Sequence, residues 1–187
     1  VLEPFDEESF CDPKRRFIAV ATNCRTGRAT YFEKGKCSDI KAAVRASATM
    51  PYISPMVNID GEPFLDGGCA CKIAYRWALH QKYEKIVVIR TREAEFRKPQ
   101  RVSKSALRVY RKYPAFAVKL ARSNMAYNRQ CDEIETLHQA GRLLRIAPSR
   151  HVTVGRVEGN MEKLGDLYWN GYYDGYAKVD EIRNYLG

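Results

Sequence analysis

Three short apolar runs, 17–22 (FIAVAT), 85–91 (KIVVIRT) and 143–147 (LLRIA), stand apart from one another, with stretches of helical periodicity between them. Runs of four to seven largely apolar residues without strict polar alternation are the pattern of strands covered on both faces, and the intervening helices supply the cover. That alternation restricts the chain to a layered α/β sheet. At 187 residues, 45% of them hydrophobic, the chain can bury a sizeable core, and its length favours one domain.

The local signals refine this outline. Residues 29–32 follow the first run across Asn23 and Thr26-Gly27, which predicts a hairpin. Ser38 or Asp39 caps a helix through Ala46, with Ile40, Ala43 and Val44 on one face. Residues 52–66 hold Pro55, Pro63 and Asp60-Gly61 and predict a constrained loop with short strand pieces at most. The spacing predicts helices over 70–81, 102–113 and 115–140, the last two separated by Pro114 and the last stopped at Gly141. From Glu162 onward a helical tail carries Tyr168, Trp169, Tyr172, Tyr173 and Tyr176 on an aromatic face, a stripe expected to pack inward. The single domain thus falls into a sheet and helix portion over 1–97, a helical excursion over 98–141, and a strand plus C-terminal helix over 142–187.

Six cysteines show no paired CxxC spacing, and the three histidines lie far from them in sequence, so a zinc site finds little support. Cys69 and Cys71 are expected as small buried hydrophobes beside a tight turn. A reducing cytoplasm is the default compartment. No run of about 18 apolar residues suggests a spanning helix. The chain starts at Val1 and runs soon into a strand, which suggests that sequence upstream of it has been removed.

Asp66-Gly67-Gly68 is the sharpest local signal. Alone it describes a turn, since aspartate bonds to nearby backbone and glycine tolerates unusual dihedrals. Its surroundings add to this. Ala46-Ser47-Ala48-Thr49-Met50-Pro51 stands upstream, then Pro55, then Pro63-Phe64-Leu65, which delivers the aspartate to the end of a strand-like segment. This ordered set resembles the patatin-like phospholipase family, in which A-S-x-x-x-P after a helix precedes a strand ending in D-G-G or D-G-A. Ala21-Thr22-Asn23, Thr26-Gly27, Tyr31-Phe32 and Val87-Val88-Ile89 are similar to the flanking strands of that family, and the later helices resemble a bacterial subgroup of it.

The resemblance implies a three-layer α/β/α sandwich of the patatin type with its N-terminal part missing and a helical C-terminal region. It also implies a lipid acyl hydrolase, a phospholipase or esterase, using a serine–aspartate dyad. Asp66 would accept the proton of a serine that attacks the ester, with Gly67 and Gly68 letting the loop pass close to it. No metal or cofactor is implied. The family's G-x-S-x-G elbow and glycine-rich oxyanion loop do not occur here: none of the twelve glycines is followed two residues later by serine. The chain is therefore expected to be inactive alone, its partners being a lipid or ester substrate and the missing N-terminal segment of the same protein. Ser47, in Ala-Ser-Ala at a helix end, lacks the glycine-flanked turn of a nucleophile and is expected to be structural or site-lining.

The net charge of +10 is concentrated in one place. Between Phe96 and Cys131 stand ten cations and no acid, leaving 22 basic residues against 22 acidic elsewhere. A solvated surface is one reading. Attachment to an anionic membrane through Arg108, Arg111 and Lys112, with Tyr110, Tyr113, Phe116 and Leu120 dipping beneath the basic rim, is another. It would make the protein cytoplasmic but membrane-peripheral. A non-catalytic module binding anionic membranes or nucleic acid through this surface is the alternative to the hydrolase, although no zinc finger, RRM signature or glycine-rich phosphate loop supports nucleic acid.

Overall fold

The computed structural model describes residues 5–155 and 157–187, so the first four residues of the leading stretch 1–14 lie outside it. The protein is mixed α/β. The chain begins with α1 (Glu7–Cys11), β1 (Ile18–Asn23), β2 (Ala29–Glu33), α2 (Ile40–Ser47), β3 (Val57–Ile59) and β4 (Glu62–Asp66), followed by a 3₁₀ turn, Gly67–Cys69. Next come α3 (Tyr75–His80), β5 (Val87–Ile89), α4 (Lys104–Val109) and α5 (Pro114–Ala121). Finally there are α6 (Ser123–Gln139), β6 (Leu144–Ile146), α7 (Met161–Ala177) and α8 (Val179–Leu186). Two compact units divide the chain: one holds residues up to 73 together with 100–126, the other 74–99 and 127 onward.

The first unit is built on an antiparallel sheet of order β2-β1-β4-β3. The expected hairpin forms: Asn23 Oδ1 accepts from Arg25 N and Thr26 N, both at 2.9 Å, and Gly27 turns the chain at φ 65°. A Cβ on Gly27 would stand 2.6 Å from Ala115 O, so the turn needs glycine for space as well as for conformation. Asp60-Gly61 joins β3 to β4 with both residues left-handed, at φ 53° and 81°, the geometry that an Asp-Gly hairpin turn favours. Pro63 is tolerated in β4 because its carbonyl, not an N–H, is what the ladder uses there: it accepts Cys24 N at 2.8 Å.

Successive residues of a strand face opposite ways, and β4 uses this. Phe64 joins a cluster with Ala19, Ala21, Phe32, Val57 and Ile59 that is closed by Ala43 and Ala46 of α2. Leu65 joins another with Cys24, Cys69, Tyr110, Phe116 and Leu120, on which α4 and α5 pack. Asp39 caps α2 as expected, accepting Ala42 N at 2.9 Å. The inward face of α2 is Ala43 and Ala46, with Val44 exposed.

On the outer side of this unit Arg16 grips Glu33 with two nitrogens, Nε at 2.8 Å and Nη2 at 2.9 Å, and Lys36 adds a contact at 3.1 Å. The Arg16 guanidinium holds the Glu33 carboxyl down at about 2, against an ordinary 4.5. A depressed carboxylate stabilises the fold above its ordinary range and loses that contribution as pH falls through the folded value. Thermal melts of the parent and of Glu33→Gln should therefore differ at neutral pH and converge between pH 4.5 and about 2. A difference that persists unchanged to the acid end would remove the ion pair as its cause.

In the second unit β5 and β6 pair in parallel, Val87 opposite Leu144 and Ile89 opposite Ile146. The run 85–91 was expected to be covered on both faces. Instead Ile86, Val88 and Arg90 are buried while Ile89 is 74% exposed, so β5 alternates; on the face of Ile89 it is the β6 partners Leu144 and Ile146 that are buried.

Three expected helices also change. Over 70–81 only Tyr75–His80 is α-helical, because the backbone before it bonds elsewhere: Ala70 N reaches Thr22 Oγ1 in β1 at 3.2 Å and Cys71 N reaches Gly67 O at 2.8 Å. The helix over 102–113 shrinks to α4. The helix over 115–140 breaks at Arg122 into α5 and α6, where Ala121 O accepts Ser103 N at 3.0 Å rather than continuing the helical ladder. Gly141 stops α6 at φ 68°, as expected.

Candidate active site around Asp66

Asp66 sits at the C-terminal end of β4, opposite Ala21 of β1. Its backbone is held on both sides. Asp66 N donates to Thr49 O at 2.9 Å, which joins the end of the Ala46–Pro51 stretch to the Asp-Gly-Gly turn. The hydroxyl of Thr22, fully buried in β1, donates to Asp66 O at 2.9 Å and accepts from Ala70 N at 3.2 Å. Thr22 thus ties the turn to the central strand, a role no sequence signal announced, since a threonine in a strand is ordinary.

The half-buried Asp66 side chain divides its work between its two oxygens. Oδ1 accepts Gly68 N at 2.6 Å and caps the 3₁₀ turn. Among the described residues, Oδ2 has no hydrogen-bond partner. The turn reading of Asp-Gly-Gly and the proton-acceptor reading therefore do not compete: one oxygen builds the turn and the other is left available.

The two glycines have different reasons to be glycine, and neither has a positive φ. Gly67 is buried against β1, where a Cβ would stand 2.2 Å from Val20 O. At Gly68 a Cβ would meet Asp66 Oδ1 at 3.0 Å and the Lys72 side chain at 3.4 Å, so the turn brings Lys72 over the site. Sequence reading passed over Lys72.

Ser47 closes α2 half-buried, and among the described residues no hydrogen bond joins it to Asp66. Cys69 is buried beside the turn and Cys71 half-buried, where Tyr31 donates to its sulfur at 3.7 Å. No group of three or more His, Cys, Asp or Glu is placed to hold a metal among the described residues.

Arg108, Arg111 and Lys112 are exposed on α4 and on the α4–α5 connection. The residues expected to dip beneath them do not: Tyr110, Phe116 and Leu120 are buried and Tyr113 is half-buried, all serving the core of the first unit. The exposed apolar side chains nearby are instead Leu107, Val109 and Val118, with Tyr52 and Ile53 in the loop after α2. The aromatic stripe of α7 also departs from expectation. Tyr168, Trp169, Tyr172, Tyr173 and Tyr176 are exposed, and Trp169 packs on its own neighbours, Tyr168 at 5.3 Å and Tyr172 at 5.6 Å between ring centroids.

Among the described residues no helix is long and apolar enough to cross a membrane. No curated protein matches the chain. Residues 113–187, from the start of α5 through α8, match a family described as a domain of unknown function, DUF6363, so the segment carrying Asp66 lies outside the matched part.

Proposed function

We propose that Asp66 is the general base of a serine–aspartate acyl hydrolase acting on lipid esters, within a three-layer α/β/α domain of the patatin type. The observation that carries this reading is the division of labour at the carboxylate: Oδ1 is fixed by Gly68 N, and among the described residues Oδ2 has no hydrogen-bond partner. Support comes also from the Asp66 N to Thr49 O bond, which joins the two motifs that resemble the family.

In this mechanism a serine Oγ attacks the ester carbonyl carbon while its proton passes to Asp66 Oδ2. The tetrahedral intermediate collapses, the alcohol leaves with the proton from Asp66, and the acyl group remains on the serine. Water then attacks the acyl-enzyme, giving its proton to Asp66, and the serine leaves as its oxygen is reprotonated. No metal or cofactor takes part. Residues 1–187 contain no G-x-S-x-G, so the serine and the donors for the oxyanion must come from outside them.

The test is to treat the complete gene product with a fluorophosphonate probe and map the adduct. Labelling of a serine within G-x-S-x-G is the expected result. A folded, complete protein that takes no label would overturn the reading.

A further inference from the structure

The loop that leaves α2 holds two apolar side chains in water. Tyr52 adopts φ 72°, a left-handed conformation uncommon for a bulky residue. It is kept there by the core: Tyr52 N donates to Tyr110 Oη at 2.7 Å and the two rings lie 5.4 Å apart. Tyr110 in turn packs edge-on against the fully buried Phe116 at 4.8 Å. The result is a loop tip braced from beneath, with Tyr52 50% and Ile53 67% exposed.

The chain beside this brace is cationic. Arg111 and Lys112 directly follow Tyr110, and Arg108 precedes it by two residues; all three are exposed and, among the described residues, none pairs with a carboxylate. Leu107 and Val109, on either side of Arg108, are exposed, and Val118 and Lys119 continue the pattern on the outward face of α5. No acid occurs between Phe96 and Cys131 to oppose an anionic surface.

We propose that this face docks onto an anionic lipid bilayer, with Tyr52 and Ile53 entering the interface and Arg108, Arg111 and Lys112 lying against lipid phosphates. An exposed apolar tip beside a cationic stretch of chain complements such a surface on both counts. Nucleic acid fits less well, because single strands are held by stacking on aromatic rings, and the exposed apolar residues here are mostly aliphatic. Asp66 N bonds to Thr49 O, so the docked loop begins three residues from a contact with the carboxylate-bearing residue. Docking stands without the hydrolase reading; delivery of lipid to Asp66 rests on it.

The test uses the chain of residues 1–187 with sedimented vesicles of phosphatidylcholine alone and of phosphatidylcholine mixed with phosphatidylglycerol. Binding is expected only to the mixed vesicles and to weaken as salt rises. Reversing Arg108, Arg111 and Lys112 to Glu should lower the partition coefficient by about 100-fold or more, and Ile53→Ser should weaken binding at every salt concentration. These side chains are exposed, so circular dichroism should be unchanged; if the triple variant misfolds, the salt dependence of the parent and Ile53→Ser decide. Equal binding to both vesicles, no binding by the parent, unchanged binding by the variants, or capture by a single-stranded oligonucleotide in place of vesicles would each overturn the proposal. A failed fluorophosphonate label in the complete protein would overturn the hydrolase reading while leaving vesicle binding intact, so the two failures are distinguishable.

Discussion

Asp66→Asn in the complete protein is expected to lower ester turnover by roughly 10²–10⁴-fold, the range that a positioned general base contributes, while the melting temperature barely moves. The asymmetry follows from the two oxygens. An asparagine keeps a carbonyl oxygen where Oδ1 accepts Gly68 N at 2.6 Å, so the 3₁₀ turn and its bonds to Thr22 and Thr49 survive. What it loses is a basic oxygen at Oδ2, which has no hydrogen-bond partner among the described residues. Fluorophosphonate labelling should fall with turnover, because a serine without its base is a weak nucleophile. A variant that folds and turns over like the parent would return Asp66 to a turn residue alone.

Gly67→Ala should be the most damaging small substitution in the first unit. The added Cβ would lie 2.2 Å from Val20 O and 2.7 Å from Val20 C, atoms of the backbone of β1, which is paired to β2 on one side and β4 on the other. A strand held on both sides cannot give, and overpacking of that kind costs about 3 kcal/mol or more. For a chain of this size a loss of that magnitude lowers the melting temperature by about 10 °C. Gly68→Ala provides the contrast, since its closest neighbours are the Asp66 carboxylate at 3.0 Å and the flexible end of Lys72. There the side chains can shift, so the melting temperature should stay within a few degrees while, under the proposed function, the displaced carboxylate lowers ester turnover by the complete protein. Thermal melts of both variants check the pair; equal destabilisation by the two substitutions would contradict the close approach of Gly67 to β1.

Features set by nearest neighbours in sequence were legible without coordinates. The hairpin across Asn23 and Gly27, the Asp39 cap, the stop at Gly141 and the strand over 143–147 each rest on a local preference of one or two residues, and each formed. The Asp66-Gly67-Gly68 motif was legible for the same reason, as a short string with its own chemistry. Distant partners were what local patterns could not supply. Ser103 N takes the carbonyl of Ala121 and divides the helix over 115–140 in two; Thr22 Oγ1 takes Ala70 N where the helix over 70–81 was expected to begin.

Burial follows the same division. An amphipathic pattern says that a helix has an apolar face but not which apolar residues find cover, because cover belongs to the neighbour. Tyr110, Phe116 and Leu120, which one reading set against a membrane, lie in a core made with Cys24 and Leu65; the α7 aromatics were expected in a core and lie in water. By itself the sequence determined the local elements, the placement of charge and the identity of the candidate base. Only the tertiary structure decided which oxygen of that base is free, which glycine is indispensable for space and which apolar side chains face solvent, since each of those depends on atoms brought together from distant parts of the chain.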